Sequence, residues 1–312
     1  MPVEELAIEV SNLTKCYDRL VAVDAISFEV KKGEFFGFLG PNGAGKTTTV
    51  RMLTGVIRAD SGTAMILGFD AGNLRSKQIA GVVPEMANAY VDLSGWDNLM
   101  LMARLYGITA KDAKERGESL LRTLGLLERK DSKVKAYSKG MKQRLILGMA
   151  LISDPEILFL DEPTSGLDVQ STRLIKDMLR SLNAEGKTIF LTTHDMDEAN
   201  ELCNRVAIIH KGRIVAIDAP EKLRVATRGR HSVEVSFSDS ISIENLRNLP
   251  RVSEVNKAGD KYRLYTDNPS ELAVTLVNHA STAGLKIVSL NTMTPSLEDA
   301  FVALTEKETD HA

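Results

Sequence analysis

The chain has 312 residues, of which 43% are hydrophobic and 26% charged, and its formal net charge is −3. This length predicts about two domains, the composition is that of a globular protein with a real core, and the charge gives no footprint for nucleic-acid binding. Two cysteines, Cys16 and Cys203, lie far apart in the sequence, which suggests no disulfide framework and predicts free thiols in a reducing compartment.

The first residues lack an apolar core, so we expect no signal peptide. One of the longest apolar stretches, residues 145–152, has eight residues. A membrane-spanning helix needs about 17–25. The sequence therefore predicts a soluble chain, whose membrane role, if it has one, comes through a partner.

Alternating apolar residues near the start predict two half-buried antiparallel strands, at residues 6–10 and 26–30. A buried strand at residues 34–39 precedes a helix at 48–53. Continuous apolar runs at residues 157–160, 189–191 and 206–209 are typical of parallel strands covered on both faces, and a helix is predicted at 169–182. The pattern indicates an α/β core, mostly parallel, with a small antiparallel addition.

A helix-rich block, about residues 86–154, separates these strands. Ser94 and Asp97 form a candidate capping box before a helix whose Met and Leu side chains are expected to face a core. A second helix, residues 111–127, is rich in charge and is expected to be a solvated surface.

The order of predicted strands and helices changes after Pro220. Strands are predicted near residues 231–237, 252–255, 262–265 and 285–290, with helices at 243–249, 269–283 and 296–304. The order βαββαβ is that of a ferredoxin-like unit. We therefore expect one domain at residues 1–219 and a small α+β domain at 220–312.

A phosphate-binding loop lies between the strand at 34–39 and the next helix. Its glycines let successive backbone N–H groups point at an anion, the lysine can reach β- and γ-phosphates, and a threonine hydroxyl can bind Mg²⁺. Its residues, with one threonine beyond it, are Gly40, Pro41, Asn42, Gly43, Ala44, Gly45, Lys46, Thr47 and Thr48. This loop alone leaves kinases, GTPases and many ATPases open.

Two acids follow the apolar run at residues 157–160. Asp161 stands at the carboxyl end of a predicted strand, where α/β sheets bind ligands. It can hold Mg²⁺, and Glu162 can act as general base on the attacking water.

A third segment, residues 138–141, combines a helix N-cap, Ser138, with Gly140 ahead of a Gln-Arg pair. We call it the signature segment, because with the two preceding motifs it resembles that of the ATP-binding subunits of ABC transporters. The resemblance covers roughly residues 4–218.

That resemblance implies roles for further residues. Tyr17 resembles the aromatic side chain that stacks on adenine, and residues 165–168, ending at Asp168, resemble the loop that links two active sites across a dimer. His194 resembles the histidine that contacts the γ-phosphate, so Lys46, Glu162 and His194 are the expected catalytic residues.

The sequence departs from the family pattern at three positions. Glu85 stands where a glutamine usually senses Mg²⁺; a carboxylate still accepts from metal-bound water but cannot donate as an amide does. Lys139 replaces a glycine and adds a cation near the γ-phosphate, and Met141 replaces a glutamine. Thr47, Asp161 and Glu85 remain the candidate metal ligands, and Ser138 and Gly140 are expected to keep the segment functional.

Residues 295–301 resemble the C-terminal segment of exporters of drugs, antibiotics or sodium. The family implies an ATPase that uses ATP and Mg²⁺, closes as a homodimer with the signature segment in trans, and drives a separate transmembrane permease from the cytoplasmic face of the membrane, without nucleic acid. A soluble ABC-type ATPase acting on ribosomes or DNA, and a non-hydrolysing regulator, are the alternatives.

Overall fold

The computed structural model of the chain describes residues 5–86, 89–226, 231–239, 241–293 and 295–309. The chain divides into two compact units, Met1–Ala219 and Pro220–Ala312. The first unit has two sheets and the second has one, and each unit has its own cluster of buried apolar side chains.

The strands of the first unit form two sheets, and their bounds are β1 (Leu6–Tyr17), β2 (Leu20–Lys31), β3 (Phe35–Leu39), β4 (Ser61–Ile66), β5 (Phe69–Asp70), β6 (Ala80–Val83), β7 (Ile157–Asp161), β8 (Thr188–Thr193), β9 (Arg205–His210) and β10 (Arg213–Asp218). One sheet has the order β2-β1-β4-β5 and is antiparallel. The other has the order β10-β9-β3-β8-β7-β6 and is parallel except for β10. The predicted α/β fold with its antiparallel addition is confirmed.

The helices of this unit are α1 (Lys46–Leu53), α2 (Leu74–Ile79), α3 (Gly95–Leu105), α4 (Ala110–Thr123), α5 (Lys139–Leu151), α6 (Val169–Ala184) and α7 (Met196–Leu202). The capping box of α3 is confirmed: the Ser94 hydroxyl accepts from the Asp97 N–H at 3.0 Å, and the Asp97 carboxylate accepts from the Ser94 N–H.

Helix α4 differs from its prediction in length and in surroundings. It ends at Thr123 rather than at 127, because Gly125 has φ +64° and turns the chain in the left-handed region. It is also not a purely solvated surface. Its residues Ala113 and Leu121 are buried, and a Cβ at Gly117 would lie 2.7 Å from Met100 Cε of α3. The charges cover only its outer face.

An aromatic cluster fills the space between the two sheets. It consists of Phe28, Phe36, Phe38, Phe159 and Phe190, and the rings that contact one another have centroids 5.5–6.0 Å apart. Such pairs add to the stability gained from burial alone. The cluster joins β2 to β3, β7 and β8. The carboxyl ends of the last three strands meet at one edge of the sheet because the strands are parallel neighbours.

The second unit consists of α8 (Pro220–Ala226), β11 (His231–Phe237), α9 (Ile243–Arg247), β12 (Glu254–Ala258), β13 (Lys261–Thr266), α10 (Pro269–Thr282), β14 (Ile287–Met293) and α11 (Leu297–Thr309). Its antiparallel sheet has the order β12-β13-β11-β14, and β11 to β14 follow the βαββαβ order expected from the pattern. Leu246 of α9 and Leu272 and Leu276 of α10 are fully buried in its core. Arg263 of β13 donates to Asp299 of α11 at 2.9 Å, which ties the last helix to the sheet.

Candidate functional site

The phosphate-binding loop connects β3 to α1, and its glycines are required by packing and by conformation. Gly43 and Gly45 have φ +80° and +107°. A Cβ at Gly40 would overlap the Ile209 carbonyl oxygen, and one at Gly45 would lie 2.5 Å from the Ala22 carbonyl oxygen. Helix α1 begins at Lys46, and the free N–H groups and positive dipole end of a helix N-terminus favour the binding of an anion in the loop.

Lys46 is buried inside this loop, with 5% of its surface exposed. Its Nζ donates to the carbonyl oxygens of Gly40, at 2.6 Å, and Pro41, at 3.1 Å. It also lies 3.1 Å from Glu162 Oε1. The lysine charge is therefore compensated within the chain itself.

Glu162 lies directly after β7 in an unusual backbone conformation. Its φ is +52°, a region that residues other than glycine rarely occupy. Its backbone N–H donates to the carbonyl and hydroxyl oxygens of Thr192, at 3.1 and 3.2 Å. Strained backbone of this kind clusters at functional sites, where the surrounding structure holds it.

The side chain of Glu162 meets His194, which follows β8. Glu162 Oε2 lies 2.5 Å from His194 Nδ1, and the histidine is half exposed while the glutamate is buried. The preceding Asp161 is 2% exposed and accepts from the Thr192 hydroxyl at 2.6 Å. The structure thus brings the three predicted catalytic side chains, Lys46, Glu162 and His194, into one cluster.

A cavity of about 500 Å³ opens beside this cluster, a volume suited to a small-molecule ligand. The predicted residues that line it are Tyr17, Asn42, Gly43, Gly45, Lys46, Thr47, Thr48, Glu85 and Glu162. Five lining residues were not predicted: Leu20, Val21, Ala22, Lys211 and Gly212.

Those five residues belong to the β1–β2 hairpin and to the turn between β9 and β10. The Gly212 N–H donates to the Ala44 carbonyl oxygen at 3.0 Å, so this turn braces the phosphate-binding loop. The sequence could have indicated this turn through the Lys211-Gly212 pair, which lies between two apolar segments. Such a turn places a cation at the edge of the sheet.

The predicted Mg²⁺ ligands are oxygen donors that do not form a protein cage. Among the described residues no group of three or more His, Cys, Asp or Glu side chains could hold a metal. Thr47, Asp161 and Glu85 offer a hydroxyl and two carboxylates, all of them oxygen donors. This sparse set fits Mg²⁺, which is usually bound through one or two carboxylates plus substrate phosphates rather than by a protein cage.

The signature segment lies elsewhere on the chain. The Ser138 hydroxyl caps α5 and accepts from the Met141 N–H at 3.2 Å. A Cβ at Gly140 would overlap the Ser171 hydroxyl and lie 3.3 Å from Asp168 Oδ2. Asp168 caps α6, and the hydrogen bonds from Ser171 hold the pKa of its carboxyl below the usual value.

Eight predicted site residues are absent from the described lining of the cavity: Gly40, Pro41, Ala44, Ser138, Gly140, Asp161, Asp168 and His194. His194 contacts the cavity residue Glu162 at 2.5 Å, whereas Gly140 lies against Ser171 and Asp168 at the N-terminus of α6. Lys139, which was expected to add a cation near the γ-phosphate, donates to the Ser165 carbonyl oxygen of its own chain at 3.0 Å.

None of the helices in the described ranges combines the length and the apolar character needed to cross a bilayer.

Comparison with protein families gives two matches. The ABC transporter model matches residues 23–165, and the model for the C-terminal domain of DrrA1-3-like ATP-binding proteins matches residues 219–305.

Relatives align over nearly the whole chain. Nod factor export ATP-binding protein I of Burkholderia pseudomallei (strain 1710b) is 40% identical over 303 residues, 96% of this chain and 97% of the relative. Linearmycin resistance ATP-binding protein LnrL of Bacillus subtilis (strain 168) is 35% identical over 304 residues, 96% of this chain and 98% of the relative.

Solved structures match the larger part of the chain. The ATP-binding subunit of an ABC transporter superimposes with a TM-score of 0.66 at 29% identity, covering 70% of this chain and 92% of that one. A dimeric bacterial ABC transporter cassette superimposes with a TM-score of 0.63 at 25% identity, covering 68% and 98%.

Proposed function

We propose that this chain, which belongs to the ABC transporter family of ATP-binding subunits and is an ATPase, powers export through a separate transmembrane permease. The observation that carries the proposal is the cluster of Lys46, Glu162 and His194 beside a phosphate-binding loop and an open cavity. The relatives whose names refer to Nod factor export and to linearmycin resistance support the exporter role.

ATP enters the cavity with its phosphates on the loop and its adenine against Tyr17. The backbone N–H groups and Lys46 bind the phosphates, and this draws the Lys46 amine away from Glu162. Once the ion pair with Lys46 is broken, the buried Glu162 Oε1 has no hydrogen-bond partner among the described residues and is free to accept a proton.

Hydrolysis needs a base beside the γ-phosphate. Glu162 takes a proton from the attacking water, while His194, in contact with Glu162 Oε2, orients the carboxylate and steadies the transferring phosphoryl group. Thr47, Asp161 and Glu85 would hold Mg²⁺, which when bound neutralises charge on the β- and γ-phosphates.

The site is complete only with a second copy of the chain. Ser138 and Gly140 of that copy close on the γ-phosphate at the N-terminus of its helix α5, and the loop ending at Asp168 lies between the two sites. Two facts support this arrangement: these residues lie apart from the cavity in one chain, and a similar cassette is dimeric.

The motion of the closing dimer passes to the permease, which holds the chain at the cytoplasmic face of the membrane. Met86, which directly follows the cavity residue Glu85, has an apolar side chain that is 86% exposed, and Tyr90, five residues beyond Glu85, is 56% exposed. An exposed apolar side chain next to a cavity residue is suited to contact with a partner that senses nucleotide binding.

The test is Glu162→Gln, which preserves shape but removes the base. We expect phosphate release to fall by about 10²–10⁴-fold, while ATP affinity stays within a few-fold and the closed dimer accumulates. Glu34→Gln is a matched control, because Glu34 is equally buried but lies before β3 at the opposite end of the sheet, paired with Arg205. Native hydrolysis by the Glu162 variant would remove Glu162 from the base role.

A further inference from the structure

Glu198 is a buried acid to which the proposed mechanism gives no role. It lies on α7, four residues after His194, and none of its surface is exposed. Its Oε1 accepts a hydrogen bond from the Thr164 hydroxyl at 2.7 Å, and its Oε2 is buried with no hydrogen-bond partner of good geometry among the described residues. Burying a carboxyl group so incompletely paired costs free energy.

The environment of Glu198 does not supply a dedicated cation. Burial raises the pKa of its carboxyl, while the Thr193 and Thr164 hydroxyls and the charge of Lys176 oppose the shift. The Lys176 amine is itself bonded to Glu201 Oε2 at 2.7 Å. A leucine or methionine would fill this position in α7 at lower cost, so the acid calls for a reason other than packing.

Its one well-formed hydrogen bond closes a ring around the catalytic pair. Thr164 is two residues beyond Glu162, and His194 directly precedes the cap of α7, Asp195, which accepts from the Glu198 N–H at 3.0 Å. The ring runs from Glu162 along the chain to Thr164, across to Glu198, back along α7 to His194, and across the 2.5 Å contact to Glu162.

We propose that Glu198 is a positioning residue: through Thr164, it holds the side chains of Glu162 and His194 in the relative position that hydrolysis requires. The inference rests on the proposed function, since it assumes that Glu162 is the base. The backbone at Glu162 has φ +52° and needs external support. The Ser165 N–H donates to the Glu162 carbonyl oxygen at 3.2 Å, so Thr164 lies inside a turn that begins at Glu162.

The test breaks the hydrogen bond from each side. Thr164→Val removes the donor and Glu198→Met removes the acceptor, while Thr164→Ser and Glu198→Gln keep it. We expect the first two variants to lose kcat by about tenfold to a hundredfold, the cost of a misplaced catalytic group. ATP affinity should stay within about twofold, and the Ser and Gln variants should retain most of the wild-type kcat. Glu198→Met places an apolar side chain in a buried site, so we expect it to fold even if Thr164→Val does not.

Thr188→Val is the matched control. Thr188 is also buried, and its hydroxyl accepts from the Gly33 N–H at 2.9 Å, but it lies at the amino end of β8, away from the catalytic pair. Its loss should lower the melting temperature and leave kcat unchanged.

A double-mutant cycle links the effect to Glu162. The double variant Thr164→Val/Glu162→Gln should hydrolyse ATP almost as fast as Glu162→Gln alone, because the carboxylate that Thr164 helps to position is already absent. Native kcat in both bond-breaking variants, equal loss in the Ser and Gln variants, or ATP affinity falling in step with kcat would each overturn the inference. If Glu162→Gln alone hydrolyses ATP normally, the proposed function fails instead.

Discussion

At the phosphate-binding loop, Lys46 and Glu162 form an ion pair within the chain itself. The Lys46 amine lies inside the loop, where it donates to the Gly40 and Pro41 carbonyl oxygens and pairs with Glu162. Because the buried ammonium already has partners in the free chain, phosphate binding exchanges one set of partners for another and does not add the full free energy of desolvating the cation. Under the proposed function, the same exchange would free Glu162 to act as the base when ATP is bound.

Tyr17 gives a prediction at this scale. Its ring is 43% exposed and lines the cavity beside Leu20 and Val21. Stacking of a base on an aromatic ring is worth about 1–3 kcal/mol, so Tyr17→Ala should weaken ATP binding by about 5- to 150-fold and Tyr17→Phe should preserve it. Equilibrium titration with a fluorescent ATP analogue measures the effect. Tyr90→Ala is the control, since Tyr90 is similarly exposed but does not line the cavity; equal losses in the two alanine variants would contradict adenine stacking on Tyr17.

Among the elements, helix α5 combines a structural cap with the proposed trans-acting site. Ser138→Ala removes the cap of α5 and Thr109→Ala removes that of α4. Each should cost about 1 kcal/mol of the free energy of unfolding, measured by urea denaturation. Only the Ser138 variant should also lower ATP hydrolysis at saturating protein concentration. Parallel losses of hydrolysis in both variants would show that Ser138 acts only as a cap.

The elements that the sequence predicts best are those with local signals. Apolar runs locate β7 and β8, and the glycines locate the turn before α1. What sequence reasoning missed depends on contacts between distant segments: the buried face of α4, the bracing of Ala44 by Gly212, and the hydrogen bond between Thr164 and Glu198. Such contacts leave no periodic trace, since each partner alone looks like an ordinary turn or helix residue.

For the whole molecule, the separation of the cavity from the signature segment is the decisive feature. In one chain the phosphate-binding loop and Glu162 line one cavity, and the capped N-terminus of α5 lies outside the described lining of that cavity. Two copies related by a two-fold axis would exchange these parts reciprocally and form two identical sites. In such a dimer, the Lys139–Ser165 hydrogen bond would connect, within each chain, the signature segment of one site to the turn that follows Glu162 of the other.

The central claim, that each active site is built from two chains, is tested most directly by mixing two inactive variants. Ser138→Glu places a negative charge against the γ-phosphate but keeps Glu162, whereas Glu162→Gln keeps Ser138 and lacks the base. In a mixed dimer, one site receives both intact parts, so an equal mixture should recover about one quarter of the wild-type sites, measured as phosphate release. A mixture as inactive as its two components, with both variants folded and binding ATP, would contradict the account.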